Sequence, residues 1–232
     1  MLLVGCDPLR STGFRCTERD IMSDYLVPYE AAESEFREKR SRFISRVWRV
    51  ESEAEACARI EETRKRHYDA RHNCWCYLLK EGPVRYSDDG EPQGTGGQPM
   101  LNVFQRENVI NVCCVVTRYF GGILLGTGGL TRAYAKGAKD ALDAAGICRM
   151  SLWTSWEIPC TYPLLERMKL EIEDCGGVVR SADYDVDILL HAAFPTGRAE
   201  WFQPRLTELS AGRLAMTQAG EEFLPGTREE TK

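Results

Sequence analysis

VINVCCVVTRYF (Val109–Phe120), followed by GGILLGTGGLTRAYAKGAKDALDAAG (Gly121–Gly146), decides the fold class. The first run is almost continuously apolar and β-branched, which predicts a central strand buried on both faces. The second opens on glycines. It then carries Leu130, Ala133, Tyr134, Gly137, Ala138, Ala141 and Leu142 on one stripe, a helix that Gly146 stops. A buried strand feeding a one-sided helix belongs to an α/β or α+β domain.

Upstream, SRFISRVWRV from Ser41 alternates Phe43, Ser45 and Val47 against Ile44, Arg46 and Trp48, a strand pattern. Ser52 with Glu55 three residues on forms a capping box, and helical spacing continues to about His67. HNCWCYLLKE (His72–Glu81) and VRYS are strands separated by Gly82–Pro83, and Pro99 to Gln105 predicts a short helix. Downstream the order is a strand at Trp156–Cys160, a helix at Tyr162–Cys175 and two strands in VVRSADYDVDILLHAAFP. A helix at Arg198–Leu209 and a strand at about Arg213–Gln218 complete it. That β-α-β-β-α-β order is the split-βαβ, ferredoxin-like pattern. The expected division is 22–150 and 151–225, with residues 1–21 a disordered extension or misassigned start and residues 226–232 a disordered tail.

The 232 residues carry 30 basic and 35 acidic side chains, a net charge of −5. Residues 1–21 hold three of each sign, residues 22–147 hold 18 of each, and residues 148–232 hold 9 basic against 14 acidic. The excess negative charge is all in the last third, so an evenly basic nucleic-acid-binding surface is excluded while a local strip stays open. The ten cysteines lie in a long chain opened by no signal-peptide pattern. The expectation is free cytosolic thiols. No stretch reaches the roughly 18–20 apolar residues of a bilayer span, so no membrane is expected.

Three segments could carry chemistry. In SDDGEPQGTGGQP, Asp88, Asp89 and Glu91 stand beside glycines, and they read either as oxygen ligands for a hard cation or as a turn whose carboxylates bond local N–H groups. In TRYFGGILLGTGGLTRAY, Arg118 and Tyr119 end a strand. Gly121, Gly122, Gly128 and Gly129 follow, and Arg132 lies one turn into the helix, so the helix start reads either as an anion site or as a tight strand-to-helix turn packed against the sheet. Thr127 stands where a nucleotide-binding P-loop needs lysine. From Arg37 to Arg49 six basic residues, Lys39 and Arg42 among them, face one acidic one: a charged strand edge or a polyanion contact. His72, Cys74 and Cys76 alternate on one strand, about 7 Å apart, too far for a tetrahedral zinc site, and read as buried thiols beside a hydrogen-bonded histidine. SDDGEP and RYFGG are expected on one face, as loop ends where function collects.

EKRSRFISRV, the pair His72 and Cys74, SDDGEPQGTGGQPML and VVTRYFGGILLGTGGLTRAY together resemble the IMPACT family, in particular its bacterial two-domain members. Gln93, Gly96, Cys76 and Leu124 depart from its usual Ser, Ala, Ala and Lys. The resemblance implies an α+β protein. Its N-terminal domain would be like the second domain of a small-subunit ribosomal protein, as in domain IV of elongation factor G, and its C-terminal domain ferredoxin-like. Eukaryotic relatives regulate translation but carry a further N-terminal domain, so their kinase partner is not transferred. The implied role is cytosolic and translation-linked: binding RNA, the ribosome or a translation factor through Lys39, Arg42, Arg118, Tyr119 and Arg132, with no DNA, cofactor or metal. The alternative is a metal-assisted enzyme acting on a phosphorylated small molecule or phosphodiester through Asp88, Asp89 and Glu91. No set of residues reads as catalytic.

Overall fold

A computed structural model describes residues 24–229. The expectation for residues 1–21 lies outside them. Two compact units are defined among the described residues, one of Tyr25–Arg149 with 227–229, the other Met150–Gly226.

The first unit is built on a five-stranded sheet whose paired strands are all antiparallel, in the order β2-β3-β6-β4-β5. The strands are β2 (Ala32–Glu38), β3 (Ser41–Arg49), β4 (His72–Leu78), β5 (Val84–Ser87) and β6 (Val112–Tyr119), with a short β1 (Tyr25–Pro28) outside this sheet. β6 is central and buried on both faces. Cys114 and Val116 enter one hydrophobic cluster, and Cys113 and Val115 enter another on the opposite face. It starts three residues later than the apolar run suggests. Asn108 and Asn111 take left-handed φ values of 54° and 50°, which no strand tolerates, and the intervening Val109 and Ile110 pair with Leu26 instead.

Helix α1 (Glu53–Arg66) covers the Cys113/Val115 face with Ala56 and Ile60. Its Ser52 cap accepts from Glu55 N at 3.2 Å, and the Glu55 carboxylate reaches back to Glu51 N at 2.8 Å. Helices α2 (Gly97–Arg106) and α3 (Thr127–Ala145) cover the other face with Met100, Phe104, Leu130, Tyr134 and Leu142. α3 lies so close to β3 that a Cβ on Gly137 would come within 2.4 Å of Ser45 Oγ. The eight described cysteines form no disulfide and seven are buried, with burial pushing the thiols of Cys74, Cys76, Cys113 and Cys114 up.

The second unit runs β7 (Ile147–Cys160), α4 (Leu165–Asp174), β8 (Val178–Tyr184), β9 (Ile188–Pro195), α5 (Ala199–Ser210) and β10 (Thr217–Glu229). The sheet has five strands: β7 pairs with β1, β9 and β10, and β8 pairs with β9; β7, β8, β9 and β10 with the two helices make the split-βαβ arrangement. Ile158, Met168, Ile172, Leu190, Phe194 and Phe202 form its core. Three boundaries differ from the sequence-based expectation, the first being that the last strand, expected at about Arg213–Gln218, begins only at Thr217. β7 begins nine residues before Trp156, its first three residues belonging to the first unit. The expected tail at 226–232 is instead part of β10 as far as Glu229, where Arg228 Nη2 donates to Ala144 O at 3.1 Å. Pro225 hid this strand, yet β10 pairs only with β7, and a strand paired on one side accommodates a proline.

Candidate functional site

SDDGEP and RYFGG meet on one face of the first unit. β4 and β6 are paired with His72 opposite Arg118, and the loop after β5 folds over both. Its three carboxylates have separate duties. Asp88 Oδ1 accepts from Gly96 N and Gly97 N, both at 2.9 Å, and Oδ2 from Gly94 N at 2.8 Å. It therefore caps α2, whose N-terminus has no other side-chain acceptor. Asp89 accepts from Asn73 N at 2.7 Å and Arg64 Nη2 at 3.2 Å, tying the loop to β4 and α1. Glu91, 8% exposed, accepts at Oε1 from Arg118 Nη1 at 2.6 Å and from the Tyr134 hydroxyl at 2.9 Å. Burial, and then neighbouring Cys74 and Glu91, push the Tyr134 phenol up, so it remains the donor.

The carboxylates are thus committed to backbone amides and a buried arginine, as the turn reading supposes. They do not converge, and among the described residues no group of three His, Cys, Asp or Glu could hold a metal ion. Replacing Asp88 with alanine should cost about 2–3 kcal/mol, because three amide donors at a buried helix start lose one charged acceptor. Urea unfolding would measure it, and a loss below about 0.5 kcal/mol would contradict the capping role.

Arg118 is not the surface cation that the sequence suggested. It is 5% exposed, with Nη1 on Glu91, Nη2 3.4 Å from Ser41 Oγ, and its guanidinium carbon 5.7 and 5.4 Å from the ring centroids of Phe43 and Phe120. Its Nε has no partner. Arg42 is also engaged, bidentate to Glu35 at 2.8 and 2.7 Å. Tyr119 donates its hydroxyl to Asp69 Oδ1 and accepts from His67 Nδ1, both at 3.0 Å. Burial and that carboxylate hold the phenol up, while burial and then Arg46 depress the His67 imidazole. His72 uses Nδ1 to donate to Asp89 O at 2.8 Å, leaving Nε2 3.9 Å from Glu91 Oε1.

The exposed cations are elsewhere. Lys39 and Arg40 form the β2–β3 turn, both at positive φ (43° and 66°). Gly121 passes directly beneath, where a Cβ would lie 2.1 Å from the Arg40 carbonyl. Arg132 is exposed, its guanidinium folded back toward Gly128. Gly122, at φ 83°, has open space around it, and Gly128 and Gly129 lie in the first turn of α3. A cleft of about 390 Å³ opens at this point. Its wall includes Arg71, His72, Glu91 and Arg118, and its mouth includes Phe120 and the start of α3 at Gly126 and Thr127. Leu124, 81% exposed, stands at its rim. Arg71 and Tyr134 went unnoticed in the sequence. Arg71 merely precedes a strand, and Tyr134 reads as one more apolar position on the α3 stripe.

Both units of this α+β chain match known domain families. The Impact N-terminal domain matches residues 39–142, and a domain of unknown function (DUF1949) matches residues 158–213. IMPACT family member YvyE of Bacillus subtilis is 34% identical over 195 residues, 83% of this chain and 90% of that protein. IMPACT family member YigZ of Escherichia coli is 34% identical over 199 residues, 84% and 98% respectively. A crystal structure described as that of an hypothetical protein aligns with a TM-score of 0.55 at 34% identity, covering 84% of this chain and 97% of the other. The chain belongs to the IMPACT family. No helix among the described residues is long and apolar enough to cross a membrane.

Proposed function

We propose that the first unit binds single-stranded RNA, and that the chain is a cytosolic, translation-linked binding protein. The observation that carries this is a set of four exposed cations, of which Arg71 lines the cleft, Arg132 reaches Gly128 at the helix start, and Lys39 and Arg40 form the turn over Gly121. Lys39 and Arg40 on the hairpin, Arg71 before β4 and Arg132 on α3 are exposed, and no described ion pair neutralises any of them. Phe120, 41% exposed, and Leu124 offer apolar faces between them. Backbone phosphates want the cations, and unstacked bases want the faces. The acidic last third, 14 carboxylates against 9 bases, repels phosphate and confines the contact to the first unit.

Fluorescence anisotropy of the full chain with a labelled single-stranded RNA, over a range of salt, tests this. Four cations in contact should give a slope of log affinity against log salt of about −3, at about 0.7 for each phosphate neutralised. Lys39→Ala with Arg40→Ala, or Arg132→Ala alone, should weaken binding and flatten that slope. Binding that is absent at low salt, or independent of salt, would end the RNA reading. Arg118→Ala, a natural first choice from the sequence, is a poor probe because it removes a buried ion pair.

A further inference from the structure

We infer that the cleft at the start of α3 is a seat for a phosphate monoester carried by a nucleoside, either a free nucleotide or the phosphorylated end of an RNA strand. The inference rests on the RNA reading above only for the second source. Four observations converge on it. α3 is a 19-residue helix whose cap, Gly126, offers no side-chain acceptor. The first amide satisfied within it is that of Leu130, bonded to Gly126 O at 2.9 Å, so the N–H groups of Thr127, Gly128 and Gly129 face an end that lacks negative charge. Gly126 has nothing within 4 Å of where a Cβ would be, and at Gly128 the nearest atom is Arg132 Nη1 at 3.5 Å. A ligand can therefore approach the amides directly, with a guanidinium already beside them.

The independent observation is Arg118. It forms part of the cleft wall while 95% withdrawn from solvent, and its buried Nε–H has no acceptor among the described atoms. Glu91 neutralises its charge at Nη1, yet one donor remains unused beside the cavity. Arg71 supplies a second exposed cation on the wall. Donors thus come from the helix end, from Arg71 and Arg118 in the lining, and from Arg132 beside Gly128. A diester has only two non-bridging oxygens and a single charge, whereas a monoester has three and nearly two charges. The higher charge and third oxygen match donors converging from three sides. The cavity, about 390 Å³, is in the range that holds a small ligand, roughly 300–1,000 Å³. Phe120 at its mouth gives the base a face to stack on.

The test compares four probes on the full chain by anisotropy and calorimetry. They are a single-stranded RNA 12-mer with a 5′-phosphate, the same 12-mer with a 3′-phosphate, the same 12-mer with hydroxyls at both ends, and adenosine 5′-monophosphate. At least one phosphorylated 12-mer should bind ten times or more tighter than the hydroxyl form. Arg71→Gln with Arg132→Gln, both at exposed positions, should erase that difference. Displacement of the phosphorylated 12-mer by the mononucleotide also supports the seat, and its affinity identifies which source fills it. Equal affinity for all three 12-mers, without mononucleotide binding, overturns the seat and leaves the RNA reading standing. Mononucleotide binding without any 12-mer binding keeps the seat and overturns the RNA reading. Binding of none of the four overturns both.

Discussion

Replacing Glu91 with alanine should destabilise the first unit by about 3–5 kcal/mol, the range for breaking a buried ion pair by removing one partner. The Arg118 guanidinium would stay at 5% exposure with only a weak 3.4 Å contact to Ser41 Oγ, and the Tyr134 hydroxyl would lose its acceptor. Most of the loss is the expense of a stranded charge, not the net worth of the pair. Glu91→Gln with Arg118→Met, which removes both charges while keeping volume, should therefore recover more than half of it. Urea unfolding of the three proteins, followed through tyrosine and tryptophan fluorescence, measures both quantities. Glu91→Ala within about 1 kcal/mol of the parent would mean that water or a rearranged Arg118 replaces the carboxylate at no expense, contrary to a buried pair.

Gly121→Ala should cost about 3 kcal/mol, the upper end for overpacking, because the new methyl would lie 2.1 Å from the Arg40 carbonyl and 2.5 Å from Ser41 N. These are backbone atoms of the β2–β3 hairpin, so no rotamer change relieves the clash. Gly122→Ala is the internal control. It has open space but φ of 83°, and should cost only the roughly 1 kcal/mol of a left-handed alanine. Thermal unfolding of the two variants should rank them in that order, and equal melting temperatures would show that the hairpin tip moves freely away from Gly121. Such movement would also displace Lys39 and Arg40.

The elements that depend on local pattern were legible in the sequence. The capping box of α1, the strand β3 and the double-sided burial of β6 follow from spacing alone and each occurs, although β3 is buried on both faces from Phe43 to Val47 where its sequence alternation suggested one. That SDDGEP and RYFGG share one face was legible too, and Glu91 of the first bonds Arg118 of the second. What each residue does there was not. Arginine at a strand end is ordinarily solvated, and only the folded chain brings Glu91 and Tyr134, 27 and 16 residues away in sequence, to within hydrogen-bond distance of a common point. The start of β6 was misjudged because the apolar character of Val109 and Ile110 outweighed the two asparagines that bend the backbone around them. Long-range pairing also explains β10. Its charged, proline-containing sequence carries little strand preference by itself and is ordered by β7.

If the proposed RNA contact holds, the hairpin turn at Lys39 and Arg40 makes fold and function compete for the same two residues. Both occupy the left-handed region, in which Asn-Gly is the easy choice for a two-residue turn and long side chains are held at an expense of about 1–2 kcal/mol each. Selection for stability alone would replace them. A lineage that no longer used this face should drift toward Asn-Gly here and melt at a higher temperature, while one that used it would keep its cations and a softer tip. The chemistry of this one turn is thus a readable trace of whether the surface above the cleft is still in service.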